Sequence, residues 1–244
     1  MIRFFVEPQN ISGNMAQLSA EDAEHLRSLR LRPSEQFIVC DGAGSDYICR
    51  LIEKTGEAPC PTAEIFETQP SQGEPSIKCN VYIAFAKGDR LDYAVQKSVE
   101  LGAHDIVLFA SERCVSIPGD MTKKIARFQR IAQETAKQCD RGRVPEVSAM
   151  SSFTAAIEQA ARAGLPLFLY ECEEKLHLKQ ALEQSGEIRT VSIVTGPEGG
   201  FEPHEAENAV SAGMVAVTLG PRILRCETAP AAALTAVMFY TGNL

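Results

Sequence analysis

No apolar stretch of this sequence approaches the roughly 18 residues that a bilayer-spanning helix requires, which excludes a membrane-embedded role. The opening Met1-Ile2-Arg3-Phe4-Phe5 turns polar too soon for a secretory leader, so a cytoplasmic protein is expected. Paired metal-binding signals are also missing. The eight cysteines (Cys40, Cys49, Cys60, Cys79, Cys114, Cys139, Cys172, Cys226) include no C-x-x-C, and the four histidines (His25, His104, His177, His204) are scattered. No metal is expected, and the cysteines are predicted to be reduced and mostly buried. Positive charge is scarce overall: the net charge of −8 argues mildly against a nucleic-acid partner, because phosphate binding depends on a cationic surface.

The distribution of charge reverses that impression locally. Between Glu112 and Arg143, eight basic residues (113, 123, 124, 127, 130, 137, 141, 143) face four acidic ones (112, 120, 134, 140). A shorter run, His25-Leu26-Arg27-Ser28-Leu29-Arg30-Leu31-Arg32, carries three arginines and no acid. The acidic total therefore hides two basic patches.

With 244 residues, 45% of them hydrophobic and 23% charged, the chain is long enough for two compact domains. A break falls near Thr68-Gln69-Pro70-Ser71-Gln72-Gly73-Glu74-Pro75-Ser76, where proline, glycine and small polar residues replace apolar periodicity as in a linker. Before it, β-rich runs are predicted at Gln36–Asp41, Asp46–Glu53 and Ala63–Glu67, with Asp41-Gly42-Ala43-Gly44-Ser45-Asp46 as a hairpin loop and not a nucleotide fingerprint.

After the break, apolar runs alternate with helical periodicity, the pattern of βα units and a largely parallel sheet. Strands are predicted at Cys79–Ala86, Asp105–Ala110, Pro166–Glu171, Thr190–Thr195 and Met214–Leu219. Helices are predicted at Arg90–Leu101, Met121–Cys139, Ser152–Ala163, His177–Gln184, Pro203–Ala212 and from about Ala229 to Tyr240. The last is apolar nearly all round and must be covered, within the domain or by a second subunit. In the second, Met121, Ile125, Phe128, Ala132 and Cys139 share one side and Lys123, Arg127, Arg130 and Lys137 the other. A solvated face and a phosphate-tracking stripe both explain that pattern, and charge alone does not choose.

Two glycine-bearing loops follow strand-like runs: Thr195-Gly196-Pro197-Glu198-Gly199-Gly200-Phe201 and Leu219-Gly220-Pro221-Arg222-Ile223-Leu224-Arg225-Cys226-Glu227-Thr228-Ala229. Small residues let main-chain groups approach a ligand, and strand ends are where α/β sheets bind ligands. Arg225, Glu227 and Thr228 add polar chemistry at that edge.

Those loops resemble the bacterial 16S ribosomal RNA uridine-N3 methyltransferase family, a branch of the SPOUT methyltransferases. The resemblance extends through Lys87-Gly88-Asp89-Arg90, Gln96-Lys97-Ser98-Val99-Glu100-Leu101-Gly102, Ser111-Glu112-Arg113-Cys114-Val115 and Gln138-Cys139-Asp140-Arg141-Gly142-Arg143-Val144-Pro145. It implies a PUA-like RNA-binding β-barrel over residues 1–70, a linker over 71–76 and a methyltransferase domain over 77–244, with a deep trefoil knot that pattern alone does not suggest. It further implies a homodimer acting on 16S ribosomal RNA, naked or in the assembled small subunit, at a uridine of the decoding region.

The implied S-adenosylmethionine pocket comprises Leu169, Tyr170, Glu171, Thr195, Gly196, Pro197, Glu198, Gly199, Gly200, Leu219, Gly220, Ile223, Leu224, Arg225 and Ala229. The three pocket glycines are expected because a ligand packed on backbone leaves no room for Cβ atoms. Methylation at N3 requires loss of a weakly acidic proton and stabilisation of the charge left on the base edge. Arg225 is the expected stabiliser, against a structural salt bridge to Glu227; Glu227 accepts the proton, orients Arg225 or is merely a helix-dipole partner; Glu198 orients the ligand or closes the turn. RNA contacts are expected from Arg3, Arg27, Arg30, Arg32, Lys87, Arg113, Lys123, Arg127, Arg130, Arg141 and Arg143, with Asp140 a departure that places an acid among them.

Two rival functions are weaker. A nicotinamide oxidoreductase needs G-x-G-x-x-G after its first strand, which is lacking, and a non-catalytic ribosome-assembly protein leaves Arg225-Cys226-Glu227-Thr228 without a task.

Overall fold

The computed structural model describes residues 1–32, 35–52, 60–115 and 119–244. It divides into one unit of Met1–Glu74 with Ala136–Val144, and a second of Pro75–Thr135 with Pro145–Leu244. The predicted strand end at Glu53 lies outside the described residues.

The first unit is built on a six-stranded sheet of β1 (Arg3–Phe5), β2 (Ile11–Ser12), β3 (Met15–Gln17), β4 (Phe37–Cys40), β5 (Ser45–Leu51) and β6 (Thr62–Pro70), ordered β1-β4-β5-β6-β3-β2. Only β1 and β4 pair in parallel; the other neighbours are antiparallel. The resemblance implies a PUA-like β-barrel, and this curled sheet is its counterpart. Among the described residues no ladder joins β1 to β2, and these terminal strands, three and two residues long, offer few backbone groups for closure. Phe4, Leu18, Leu26, Phe37, Val39 and Leu51 fill its core.

Helix α1 (Ala20–Ser28) supplies Leu26 to that core and was not predicted. Its start is set by a capping box, in which the Ser19 hydroxyl accepts from the Asp22 amide at 3.1 Å and the Asp22 carboxylate accepts from the Ser19 amide at 3.3 Å. The β4–β5 hairpin forms as expected. Asp41 closes its turn by accepting from the amides of Ala43 and Ser45 at 2.8 and 3.0 Å.

The boundary between the units, Glu74 to Pro75, falls within the expected 71–76 linker, while the residues before it belong to the first unit. β6 continues through Pro70, the Ser71 amide donates to the Gly44 carbonyl, and the Glu74 carboxylate accepts from Arg141 at 2.7 Å. Residues 68–74 thus spend their polar groups inside the first unit, which is why compositional softness there does not mean a free tether.

The second unit carries β7 (Lys78–Ala84), β8 (Ile106–Phe109), β9 (Val147–Met150), β10 (Leu165–Leu169), β11 (Thr190–Thr195) and β12 (Val215–Val217) in one parallel sheet, ordered β12-β10-β11-β7-β8-β9. Both faces are apolar, as a fully covered parallel sheet requires. Tyr82, Phe109, Phe168 and Val194 pack with α4 (Phe153–Ala160) and α6 (Pro203–Ser211) on one face. Val81, Ile83, Leu108 and Ile193 are buried on the other, where α7 (Thr228–Tyr240) contacts β7 and β11 and also touches α2 (Arg90–Glu100) and α5 (Leu178–Gln184). Helix α3 (Met121–Gln138) buries Phe128 and Ala132.

The apolar α7 is covered on one side only: Ala233, Leu234, Val237 and Met238 are buried, but Phe239 is 74% exposed. The cysteines also depart from expectation. All eight are free, yet just Cys40, Cys49, Cys79 and Cys226 are buried, because Cys60, Cys114, Cys139 and Cys172 fall in loops or at a helix end.

Candidate active site

The loops that follow β10, β11 and β12 leave the sheet from the carboxyl ends of adjacent or near-adjacent strands, so the parallel topology itself brings them together. They enclose a cavity of about 520 Å³. All fifteen residues expected in the cofactor pocket line it: Leu169, Tyr170 and Glu171 from the first loop, Thr195 to Gly200 from the second, and Leu219, Gly220, Ile223, Leu224, Arg225 and Ala229 from the third. Glu227 and Arg222 line it too, together with Arg90, Val217, Thr218 and Cys226, which sequence reasoning had not assigned there.

Side-chain to main-chain bonds hold the cavity walls, one of them, Glu171 to Phe201, joining the first loop to the second. Glu171 accepts from the Phe201 amide at 2.9 Å, Thr195 donates to the Tyr82 carbonyl at 3.3 Å, and the Thr218 hydroxyl accepts from the Gly220 amide at 3.2 Å. The guanidinium of Arg113 donates to the Gly199 carbonyl at 2.9 Å while also pairing with Glu202.

These contacts add a second reason for the glycines to the one expected. A Cβ on Gly200 would sit 1.7 Å from the Glu171 carboxylate, one on Gly196 3.0 Å from the Phe201 ring, and one on Gly199 3.1 Å from the Arg113 side chain. Protein atoms thus crowd all three positions: a Cβ would displace the flexible Glu171 carboxylate at Gly200 and push a neighbour aside by a few tenths of an ångström at Gly196 and Gly199. Gly200 is the most constrained, since its φ of +69° also lies in the left-handed region. Gly200→Val is therefore expected to collapse the loop; a cavity ligand should lose most of its affinity, and calorimetry with undiminished binding would refute this.

Charge at the rim is organised around Arg90. Its guanidinium donates to Glu198, and its Nε lies 3.9 Å from Glu227. Glu198 also accepts from the Lys87 amide at 2.9 Å. Partial burial pushes the Glu198 carboxyl up, but these donors outweigh it and hold the group below the usual carboxylate range. Glu198 therefore anchors Arg90 and Lys87 to the glycine loop.

Glu227 occupies the N-cap of α7, but its side chain makes no capping bond; instead it accepts from the Cys226 thiol at 3.2 Å. Burial, followed by the neighbouring carboxylates, pushes that thiol up to about 12, so Cys226 stays neutral. The salt bridge considered for Arg225 and Glu227 is absent among the described residues: Arg90 takes that place, and the Arg225 side chain is exposed at the cavity. The one signal for Arg90 was its motif, Lys87-Gly88-Asp89-Arg90.

The expected RNA contacts divide. Arg3 and Arg141 are corrected, being 7% and 2% exposed. Arg3 grips Asp46 with two bonds of 2.7 and 2.9 Å, and Arg141 grips Glu74 at 3.0 and 2.7 Å. Partners 43 and 67 residues away are invisible to a count of local charge. Lys137 likewise leaves the proposed stripe, with its side chain 15% exposed and 3.8 Å from Asp22. Arg27, Arg30, Arg32, Lys87, Lys123 and Arg130 are exposed, Arg143 is half-buried, and Arg113 and Arg127 keep partial exposure while paired with Glu202 and Asp92. Asp140, in a left-handed conformation with φ +59°, lies 3.6 Å from the buried Nε of Arg3, so its negative charge answers that cation.

Comparison with known proteins agrees with this architecture. The RNA methyltransferase domain model matches residues 73–238, and the RNA methyltransferase PUA domain model matches residues 18–58. Proteins named ribosomal RNA small subunit methyltransferase E are similar along the whole chain: that of Synechocystis is 32% identical over 96% of this chain and 76% of its own length, and that of Bacillus subtilis 30% identical over 100% and 98%. The crystal structure of the Neisseria gonorrhoeae ribosomal RNA small subunit methyltransferase E bound to S-adenosyl methionine superposes with a TM-score of 0.85, at 32% identity, covering 98% of this chain and 97% of that one. A matched domain spanning most of the chain, with relatives of the same layout, means that this protein belongs to the RNA methyltransferase family whose catalytic domain is joined to a PUA domain.

Proposed function

We infer that this protein transfers a methyl group from S-adenosylmethionine to N3 of a uridine in 16S ribosomal RNA. The observation that carries the inference is the convergence of three loops on one cavity with Arg225 and Glu227 at its rim. The residues fit the cofactor: about 520 Å³ lies within the range of small-molecule sites, the walls offer main chain from Thr195 to Gly200, and Leu169, Val217 and Leu219 give apolar surface. A similar protein has been crystallised with that ligand.

When bound, S-adenosylmethionine supplies an electrophilic methyl group on a sulfonium. The chain's own task is to make uracil N3 able to attack it. Loss of the N3 proton would spread negative charge over the O2/N3/O4 edge, and as the N3–methyl bond formed the sulfonium's S–methyl bond would break, leaving a neutral thioether. Arg225 meets that charge, since a guanidinium remains protonated and presents several donors. Glu227, whose carboxylate lines the same cavity, accepts the proton.

The substrate is a uridine of the decoding region, reached in the cytoplasm as naked RNA or within the small subunit. Exposed Arg27, Arg30, Arg32, Lys87, Lys123 and Arg130, with Arg113, Arg127 and Arg143, hold its phosphates, so affinity should fall steeply as salt rises. Salt-independent binding would remove these residues from the interface. A homodimer and a trefoil knot belong to the same proposal; the exposed Phe239, Tyr240 and Ile223 are apolar groups that a second copy would cover. Sedimentation of the purified chain tests the dimer. Incubation with labelled S-adenosylmethionine and either small subunits or naked ribosomal RNA, followed by nucleoside mapping, tests the reaction: 3-methyluridine supports it, and an unmethylated or differently methylated RNA overturns it.

A further inference from the structure

We propose that a second cavity, adjoining the first, receives the target base, with the Tyr93 ring as its stacking face and Arg90 as the positioning residue beside it. This rests on the uridine-methylation function above and adds where the base docks. The second cavity, a shallow one open to solvent, is lined by Lys87, Gly88, Asp89, Arg90, Tyr93, Glu227 and Thr228. Arg90 and Glu227 line both cavities, so a base docked here lies next to the space for the methyl donor.

Tyr93 is the notable member of this set. It stands on α2 between the buried Leu91 and Ala94, yet its own side is turned out and the residue is 48% exposed. The Lys97 ammonium lies 5.7 Å from the ring centroid and is itself held by Glu100 at 2.7 Å, which steadies one side of the ring. A held, exposed aromatic ring at a cavity is what a flat heterocycle stacks on, and every base has a π face to offer.

Discrimination comes from the paired charges. Arg90 is fixed by Glu198 and stands 3.9 Å from Glu227, so the rim presents a donor beside an acceptor. The edge of uracil alternates a carbonyl acceptor, the N3–H donor and a second carbonyl acceptor. Placing N3–H against Glu227 sets a neighbouring carbonyl against Arg90. Cytosine, whose N3 is itself an acceptor, would face the Glu227 carboxylate with a like group and be rejected.

The test uses the full chain, S-adenosylmethionine and small-subunit ribosomal RNA. Tyr93→Ala is expected to raise KM for RNA roughly tenfold, the scale of one base–aromatic stack, while calorimetric affinity for S-adenosylmethionine holds. Tyr93→Phe keeps the ring face and should recover most of that loss. Arg90→Lys keeps the charge but not the planar fork, and should lower kcat at saturating RNA with an unchanged thermal midpoint. An unaltered KM in Tyr93→Ala, a Tyr93→Phe variant as impaired as Tyr93→Ala, weakened cofactor affinity in Tyr93→Ala, or a wild-type kcat in Arg90→Lys each overturns the proposal. If the unmodified protein places no methyl on uracil, the broader function falls and this base site with it; an active protein indifferent to these changes sinks the base site alone.

Discussion

Arg225→Ala is expected to lower kcat by roughly 10²–10³, or about 3–4 kcal/mol of transition-state stabilisation, while leaving affinity for S-adenosylmethionine and the fold intact. The fold should survive because the structural work at this position is done by the main chain. The Arg225 carbonyl accepts from the amides of Thr228 and Ala229 at 2.9 Å each, closing the turn into α7, and alanine keeps that carbonyl. The side chain is exposed and makes no ion pair among the described residues, so its removal strands no buried partner. Single-turnover methylation separates the outcomes: near-normal turnover would assign the charge stabilisation elsewhere, and lost cofactor affinity would make Arg225 a binding residue.

Asp46→Ala should have the largest effect on stability, about 3–5 kcal/mol, because it leaves the Arg3 guanidinium buried without its carboxylate. Asp46 is 3% exposed and also accepts from Ser71 and Cys40, so several donors lose their acceptor together. Urea denaturation reads the loss, and a midpoint within error of wild type would show that water or Asp140 replaces Asp46. The double change Arg3→Met with Asp46→Leu should cost far less, since it removes both charges at once.

The same pair fixes the sign of an acid dependence. Burial opposes ionisation of Asp46, but Arg3, Ser71 and Cys40 outweigh it and hold its carboxyl below the ordinary value. A carboxyl depressed in the folded state stabilises fully above its unfolded pKa, about 3.9, and that contribution is lost as pH falls toward the folded value. Acid titration of the Asp46→Ala variant should therefore lack this part of the decline.

Much of the second unit was legible because its information is local. Strands buried on both faces read as apolar runs, and glycine loops after them marked the ends where the cavity forms. The first unit was harder. β1 to β3 are two or three residues long, and β1 finds its partner β4 across more than thirty residues, so no periodic pattern announces them. β9, Val-Ser-Ala-Met, has no apolar alternation either. Helix α1 was hidden because its last turn reads as part of the basic run from His25 to Arg32, although the Ser19-x-x-Asp22 signal stood before it.

At the site, residue types showed which loops matter but not which side chains pack against them. Gly196, Gly199 and Gly200 make room for Phe201, Arg113 and Glu171, and Arg90 holds the place beside Glu227 first considered for Arg225. Such pairings span well over a hundred residues of chain and depend on the assembled sheet. A sum of charges cannot contain them.

The first unit owns a stretch from the middle of the chain, Ala136–Val144. Arg141 saturates Glu74, and the amides of Gly142 and Arg143 donate to the same carboxylate at 3.0 and 3.1 Å. A fragment excised at residue 74 would keep the acid and forfeit every one of these donors, besides exposing surface that Lys137 and Asp140 cover. Exchanging this PUA-containing unit between genes therefore takes two crossovers rather than one, so its history is tied to that of the methyltransferase half.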